Sequence, residues 1–163
     1  MSGKTVIHID DVPLTERGNG KQFAVKWGRV GPLVGLNGLG CAVHVVPPGK
    51  KAFPFHRHHV ADELFFVVSG EGEYRFGDTT VPVRSGDIVA APAGTQPHQL
   101  INIGSADLCY LGISTMGEVD IVDYPDSKKI ALAAGVKNAD FKTATYAGVG
   151  RLAPADYFDG EDA

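Results

Sequence analysis

Short stretches rich in apolar, β-branched and aromatic residues follow one another along the middle of the chain, and several alternate with polar positions. The stretches at 41–46, 63–68, 98–103 and 108–114 are separated by clusters of Gly, Pro, Asp and Ser. Turn signals of this kind recur about every 8–12 residues, which is typical of an all-β sandwich or barrel. The pattern therefore predicts strands rather than helices over this region.

The two ends of the chain are less regular. Residues 5–9 predict a short first strand, and residues 14–40 form a Gly-rich arm with few periodic signals. Because a long free loop is uncommon in a compact domain, we expect the arm to lie along the barrel or along a partner subunit. Residues 128–134 and 154–158 predict short helical turns near the C-terminus.

Length and composition set the class of protein. At 163 residues and 17.2 kDa the chain fits one domain. We divide it into an N-terminal strand and arm at 1–40, a barrel core at 41–116 and a C-terminal extension of the same domain at 117–163. The net charge of −4, without a basic stripe, argues against nucleic acid as a partner.

Several further features argue against export, membrane insertion and disulfide bonding. The N-terminus lacks the apolar segment of an export signal, and no apolar run approaches the length of a membrane span. Cys41 and Cys109 lie in strand-like surroundings and lack the paired spacing of a zinc site. We expect a cytoplasmic protein with reduced thiols and no membrane partner.

Four side chains in the middle of the chain are candidate metal ligands. His56 and His58 are two positions apart, so on an extended backbone both imidazoles leave the same face. Glu63 opens the next apolar stretch, and His98 opens another after a Pro/Gly turn. Three imidazoles and a carboxylate suit a divalent ion such as iron, manganese, nickel or zinc. We therefore predict one divalent metal ion per chain.

The other histidines fit structural roles better. His59 is expected to face away from the His56–His58 side of the strand. His44 lies among apolar neighbours, which favours a hydrogen-bonded wall residue over a fifth ligand.

The two stretches that contain these ligands resemble the two signature motifs of the cupin superfamily. The first motif is matched by Gly49, His56, His58, Glu63 and Gly70, and the second by Gly86, Pro92, Gly94, His98 and Asn102. The resemblance implies a double-stranded β-helix, or jelly-roll barrel, with the ion held inside by His56, His58, Glu63 and His98. The short spacing between the motifs is similar to that of compact single-domain bacterial members.

The resemblance implies a small-molecule substrate or ligand but leaves the reaction open. The overall layout is similar to sugar-phosphate-isomerase-like cupins, so an isomerase or epimerase acting on a sugar or sugar phosphate is the favoured interpretation. An Fe(II)-dependent dioxygenase and a non-catalytic module that binds a small ligand or a metal are the alternatives. Arg57, Arg75 and Arg84 are the arginines near the motifs in sequence. The sequence assigns no catalytic acid or base beyond the ligands, and it predicts no organic cofactor site.

One apolar face of the predicted barrel must be covered by another segment of the chain or by a second subunit. If Glu63 faces the metal, then Leu64, Phe66 and Val68 face outward and must still be covered. The N-terminal arm or a second subunit would cover them, which favours a homodimer. Coverage by the C-terminal segment of the same chain is the alternative.

Overall fold

The computed structural model describes residues 5–137 and 140–161. Over these residues antiparallel strands form three sheets. The strands are β1 (Thr15–Gly18), β2 (Ala24–Arg29), β3 (Leu39–Val46), β4 (Arg57–His58), β5 (Glu63–Ser69), β6 (Glu71–Phe76), β7 (Thr79–Arg84), β8 (Ile88–Ala91), β9 (His98–Ile101), β10 (Leu108–Thr115), β11 (Val119–Tyr124), β12 (Lys129–Ala134) and β13 (Tyr146–Gly150). The helical elements are α1 (Gly31–Val34) and 3-10 turns at Ile9–Asp11, Pro125–Ser127 and Phe141–Thr143.

The six-stranded and the three-stranded sheet face each other across the core. A six-stranded sheet has the order β1-β2-β3-β10-β5-β8, and a three-stranded sheet has the order β7-β6-β9. Val67, Leu108 and Tyr110 from the first sheet pack against Tyr74 and Leu100 from the second, and all five are buried. The remaining strands form a sheet of order β13-β12-β11-β4. This arrangement is the double-stranded β-helix that the sequence predicted, and the all-β fold class is confirmed.

Tight turns join consecutive strands of the barrel. Gly70, between β5 and β6, has φ 84°, a left-handed conformation that favours glycine. A Cβ atom there would also lie 2.4 Å from the carbonyl oxygen of Asp107, so a side chain is excluded by contact as well. The three other glycines of the two motifs also have positive φ angles. Pro82 lies in β7, an edge strand, where its missing N–H does not interrupt the sheet.

Asn102, the last residue of the second motif, has a structural role. Its side-chain amide donates to the carbonyl oxygens of Val46 and Ala106 at 2.7 and 2.8 Å. Its side-chain oxygen accepts a hydrogen bond from the backbone N–H of Gly104 at 2.9 Å. The fully buried amide therefore fixes the loop between β9 and β10 against the end of β3.

The less regular ends differ from the sequence-based expectations. Residues 5–9 do not form a strand, because the first regular element among the described residues is the 3-10 turn that begins at Ile9. The expected helical turn at 128–134 is wrong, since this stretch is the strand β12, paired with both β11 and β13. Residues 154–158 have no helix either and run into a turn at 157–160.

The predicted arm contributes strands to the barrel. Residues 14–40 contain β1 and β2, which extend the large sheet beyond β3, and the short helix α1. The arm therefore lies on the barrel of its own chain. Residues 1–4 and 162–163, at the outer ends of the predicted N- and C-terminal segments, lie outside the described residues.

The outward face of the large sheet is only partly covered. Val12 and Val43 are buried where the N-terminal segment crosses the outside of β2 and β3. Further along the sheet, Leu64 and Phe66 are each 37% exposed and Ile88 is 65% exposed. The C-terminal strands β11, β12 and β13 pair with β4 in a separate sheet and not with β5 or β8.

No helix among the described residues has the length and apolar character needed to cross a membrane.

Candidate metal centre

Backbone pairing brings the predicted ligands to one end of the barrel. The N–H of His98 donates to the carbonyl oxygen of His56 at 2.7 Å, and the N–H of His56 donates to that of His98 at 3.1 Å. His58 lies in β4, which pairs with β11. Glu63 begins β5, between β8 and β10. Residues that are up to 42 positions apart in sequence therefore share one site.

Three imidazoles surround one oxygen of the Glu63 carboxylate. Oε2 of Glu63 lies 2.9 Å from Nε2 of His98, 3.4 Å from Nε2 of His58 and 3.9 Å from Nε2 of His56. Donor atoms of His56, Glu63 and His98 all lie within 4.8 Å of one another, a spacing that one metal ion can bridge. His58 reaches the same carboxylate but lies at the edge of this group.

Hydrogen bonds at Nδ1, on the side away from Glu63, orient two of the imidazoles. The ring nitrogen Nδ1 of His58 bonds to Oδ2 of Asp120 at 2.5 Å, and Nδ1 of His56 bonds to the carbonyl oxygen of Pro54 at 2.7 Å. A proton on each Nδ1, donated to these oxygens, leaves the Nε2 lone pair directed toward Glu63. Carboxylate and carbonyl groups behind histidines are the usual outer partners of metal-binding imidazoles.

Atoms without partners also fit a cation. Among the described residues, Oε2 of Glu63 and Nε2 of His98 are buried without a hydrogen bond of acceptable geometry, although they face each other. A cation bound between a carboxylate oxygen and an imidazole lone pair would satisfy both atoms. The residues present therefore fit a divalent ion.

The protonation states of His56 and Glu63 suit the same ion. Burial lowers the pKa of His56 to about 4, so the imidazole is neutral at pH 7. Burial by itself would raise the pKa of Glu63, but the surrounding imidazoles outweigh it and lower the pKa to about 2. Burial also favours neutral His58, whereas Asp120 and Glu63 raise its pKa overall. A neutral imidazole and an ionised carboxylate are the forms that bind metal.

A cavity of about 650 Å³ opens beside the ligands. Its inner wall is formed by alternate residues of β2, β3 and β10, including Trp27, His44 and Tyr110. Arg17 and Arg29, both from the N-terminal arm, also line it, as does Lys142. The guanidinium carbon of Arg17 lies 4.2 Å from the centre of the Trp27 ring, a cation–π contact that fixes its direction.

The other residues singled out from the sequence lie elsewhere. His59 bonds to Asp123 outside the cavity, as its position in the strand predicted. Arg57 pairs with Asp123, Arg75 pairs with Asp126, and neither lines the cavity. Arg84, in β7, does not line it either. The arginines near the motifs in sequence are therefore not those near the site in space.

Sequence reasoning missed three contributors to this end of the barrel. Asp120 orients His58, while Arg17 and Arg29 place positive charge on the cavity wall. The alternation in β1 and β2 was a weak signal, because Arg17, Val25, Trp27 and Arg29 share one face of the sheet. No local signal marks Asp120, since its contact depends on the pairing of β4 with β11.

Comparison with known proteins agrees with this architecture. Residues 42–114 match the family described as the Cupin domain. An oxalate-binding protein from Thermotoga maritima is 29% identical over 68 residues, which cover 42% of this chain and 54% of that protein. The chain spans about half the length of the curated relatives that it matches.

Two solved structures resemble nearly the whole chain. One, from Acidithiobacillus ferrooxidans, is provisionally named a sugar phosphate isomerase; the TM-score is 0.76 at 23% identity, over 93% of this chain and 98% of that one. The other is a sugar phosphate isomerase from a cupin superfamily in Silicibacter pomeroyi, with a TM-score of 0.76 at 20% identity, over 90% and 92% of the two chains. At sequence identities below 25%, these structural likenesses establish a shared fold and nothing more. The barrel, both motifs and the family match therefore agree that residues 42–114 form a cupin domain.

Proposed function

We propose that the protein is a divalent-metal-dependent isomerase that acts on a small sugar phosphate. The observation that supports this proposal is one cavity lined both by the cluster His56, Glu63 and His98 and by cationic side chains. The names of the two structural neighbours point to the same class of substrate.

In this proposal His56, His58, Glu63 and His98 hold one divalent ion. Asp120 and the carbonyl of Pro54 orient His58 and His56 from behind. When bound, such an ion polarises a substrate carbonyl as a Lewis acid, which makes the adjacent C–H more acidic. The donor set suits iron, manganese, nickel and zinc alike.

The arginines would recognise the other end of the substrate. Arg17 and Arg29 lie on β1 and β2, whereas Glu63 lies on β5, three strands beyond β2 in the same sheet. Neighbouring strands are about 4.8 Å apart, so β2 and β1 lie roughly 14 and 19 Å from β5 along the sheet. Guanidinium groups bind phosphate through paired hydrogen bonds. An elongated substrate with a terminal phosphate fits this separation.

The proposal is tested by anaerobic assay of the Mn²⁺- or Zn²⁺-loaded protein on aldose–ketose phosphate pairs. We expect interconversion of at least one pair, and we expect Arg17→Gln to raise its KM about tenfold or more. Arg84→Gln, which removes an arginine outside the cavity, is the matched control and should leave KM unchanged.

Three results would contradict an isomerase. Absence of turnover on all pairs by metal-loaded protein would exclude the proposed substrate class. Substrate-dependent O₂ uptake by the iron form would favour the dioxygenase. Tight binding of oxalate without turnover would favour the binding module, in line with the name of the Thermotoga maritima relative.

We also propose that the protein is a homodimer in the cytoplasm. The support for the dimer is the exposed apolar row formed by Leu64, Phe66 and Ile88 on the outward face of β5 and β8. This row stays exposed among the described residues, and a second copy would bury it.

A further inference from the structure

His44 is a buried polar residue on the cavity wall, outside the metal ligands. It lies in β3 between Trp27 of β2 and Tyr110 of β10, its direct partners in the two neighbouring strands. The imidazole stacks on Tyr110 at 4.7 Å with an interplanar angle of 12°, and it meets Phe53 edge-on at 5.6 Å. Aromatic contacts on two sides therefore hold the ring in one orientation.

Backbone groups of Tyr110 and Ala42 approach the ring, but its Nδ1 atom makes no well-formed hydrogen bond with the described residues. His44 is 6% exposed, and its Nδ1 atom is buried without a hydrogen-bond partner among those residues. Burial lowers the pKa of His44 to about 4, so the ring is neutral at pH 7, with one nitrogen that donates and one that accepts. Native proteins rarely leave such a group unpaired, because its desolvation is not repaid.

The imidazole packs directly against a glycine of the neighbouring strand. A Cβ atom at Gly112 would lie 2.8 Å from Cε1 of His44, so even alanine there would displace the imidazole. Gly40, Ala42 and Ser114 line the same cavity on the inner face of β3 and β10. His44 is thus a polar group on the stretch of wall between the arginines of the N-terminal arm and the ligand Glu63.

We infer that His44 hydrogen-bonds a hydroxyl group in the middle of the ligand, and that it selects polyhydroxylated phosphates over ligands without hydroxyl groups. A hydroxyl both donates and accepts, so it can pair with either tautomer of the neutral ring. This inference rests on the proposed function and names the feature of the substrate that the cavity recognises. His44 acts in binding and is assigned no proton transfer.

Titration calorimetry on the Zn²⁺-loaded protein tests this role. The probes are D-ribose 5-phosphate and D-fructose 6-phosphate, with inorganic phosphate and oxalate as probes that lack hydroxyl groups. His44→Phe keeps a ring against Tyr110 but removes both nitrogens, and we expect it to weaken the binding of a sugar phosphate about tenfold or more. His44→Asn, which restores a polar group near Nδ1, should recover part of the affinity. Zinc content and the affinities for the two control probes should not change.

The NMR signal of the His44 ring nitrogens gives a second readout in the wild-type protein. We expect ¹⁵N shifts of this ring on addition of a sugar phosphate but not of inorganic phosphate. Wild-type affinity of His44→Phe for sugar phosphates, an unchanged ¹⁵N signal or failure of both sugar phosphates to bind would overturn the inference. If His44→Phe weakens binding while the wild-type protein binds but does not isomerise any sugar phosphate, the proposed function fails and the role of His44 stands.

Discussion

The orientation of His58 depends on a carboxylate that follows it by 62 residues. Asp120 accepts from the Nδ1 side of the ring, and its other oxygen accepts the backbone N–H groups of Val60 and Ile121. Backbone hydrogen bonds therefore hold the Asp120 carboxylate in place, and the carboxylate in turn orients the imidazole. A metal ligand held in this way is preorganised, because neither its tautomer nor its ring angle changes when the ion binds.

Asp120→Asn is expected to weaken metal binding about 10–100-fold, because an amide N–H placed against Nδ1 favours the wrong tautomer of His58. Competition with a chromogenic chelator measures the affinity. Asp123→Asn is the matched control, since Asp123 lies in the same strand but binds Arg57 and His59 outside the cavity. Equal affinities in the two variants would contradict the assigned role of Asp120.

At the residue scale, the sequence predicted the site residues that lie within short motifs. His56, His58, Glu63 and His98 belong to compact motifs, and the structure brings their side chains around one carboxylate oxygen. Asp120 was not predictable, because β4 has two residues and its pairing with β11 leaves no pattern in the sequence. The same reason applies to the arginines of the arm, which approach the site only through the order of strands in the sheet.

At the scale of elements, neighbouring strands overrode local propensity in β12. The stretch 128–134 contains Lys, Ala and Leu, which favour helices, and the sequence predicted a helical turn. The structure places it between β11 and β13, where both edges of its backbone are hydrogen-bonded. Turns were predicted more reliably, because glycine and proline act on the backbone directly.

The turn between β5 and β6 gives a prediction at this scale. Gly70→Ala is expected to cost about 1–3 kcal/mol in the free energy of unfolding for the left-handed backbone, and more for the contact with Asp107. Gly86→Ala is the control, because Gly86 also has a positive φ, 93°, but a Cβ there meets nothing within 4 Å. Urea unfolding followed by circular dichroism should show the larger loss for Gly70→Ala; equal losses would rule out the steric contribution.

At the scale of the whole molecule, the barrel as described still has one side to cover. The large sheet presents apolar side chains outward from β5 and β8, while its inner face forms the core and the cavity. Sequence alternation predicted this two-sided character, since Leu64 and Phe66 alternate with the inward-facing Glu63 and Phe65. In the proposed homodimer a second copy covers the outer side, and sequence alternation does not encode that contact.

Phe66→Glu is expected to convert the proposed dimer into monomers, because a charge would be buried at the centre of the apolar face. Size-exclusion chromatography with light scattering measures the mass of wild type and variant. Val81→Glu, at a similarly exposed apolar position on β7, should leave the mass unchanged. A monomeric wild-type protein would refute the homodimer.

Different segments of the chain carry the metal-ligand side chains and the cavity arginines, because β1 and β2 extend the large sheet. Groups suited to hold an ion come from the barrel strands and their loops, whereas Arg17 and Arg29 come from a preceding hairpin that is joined to the barrel edge by β3. Under the proposed function, mutations in this hairpin would change which molecules bind without disturbing the donor atoms. Related proteins would be able to evolve different ligand preferences by substitutions at the roughly fifteen positions of this N-terminal hairpin. The side chains of the metal site would stay unchanged.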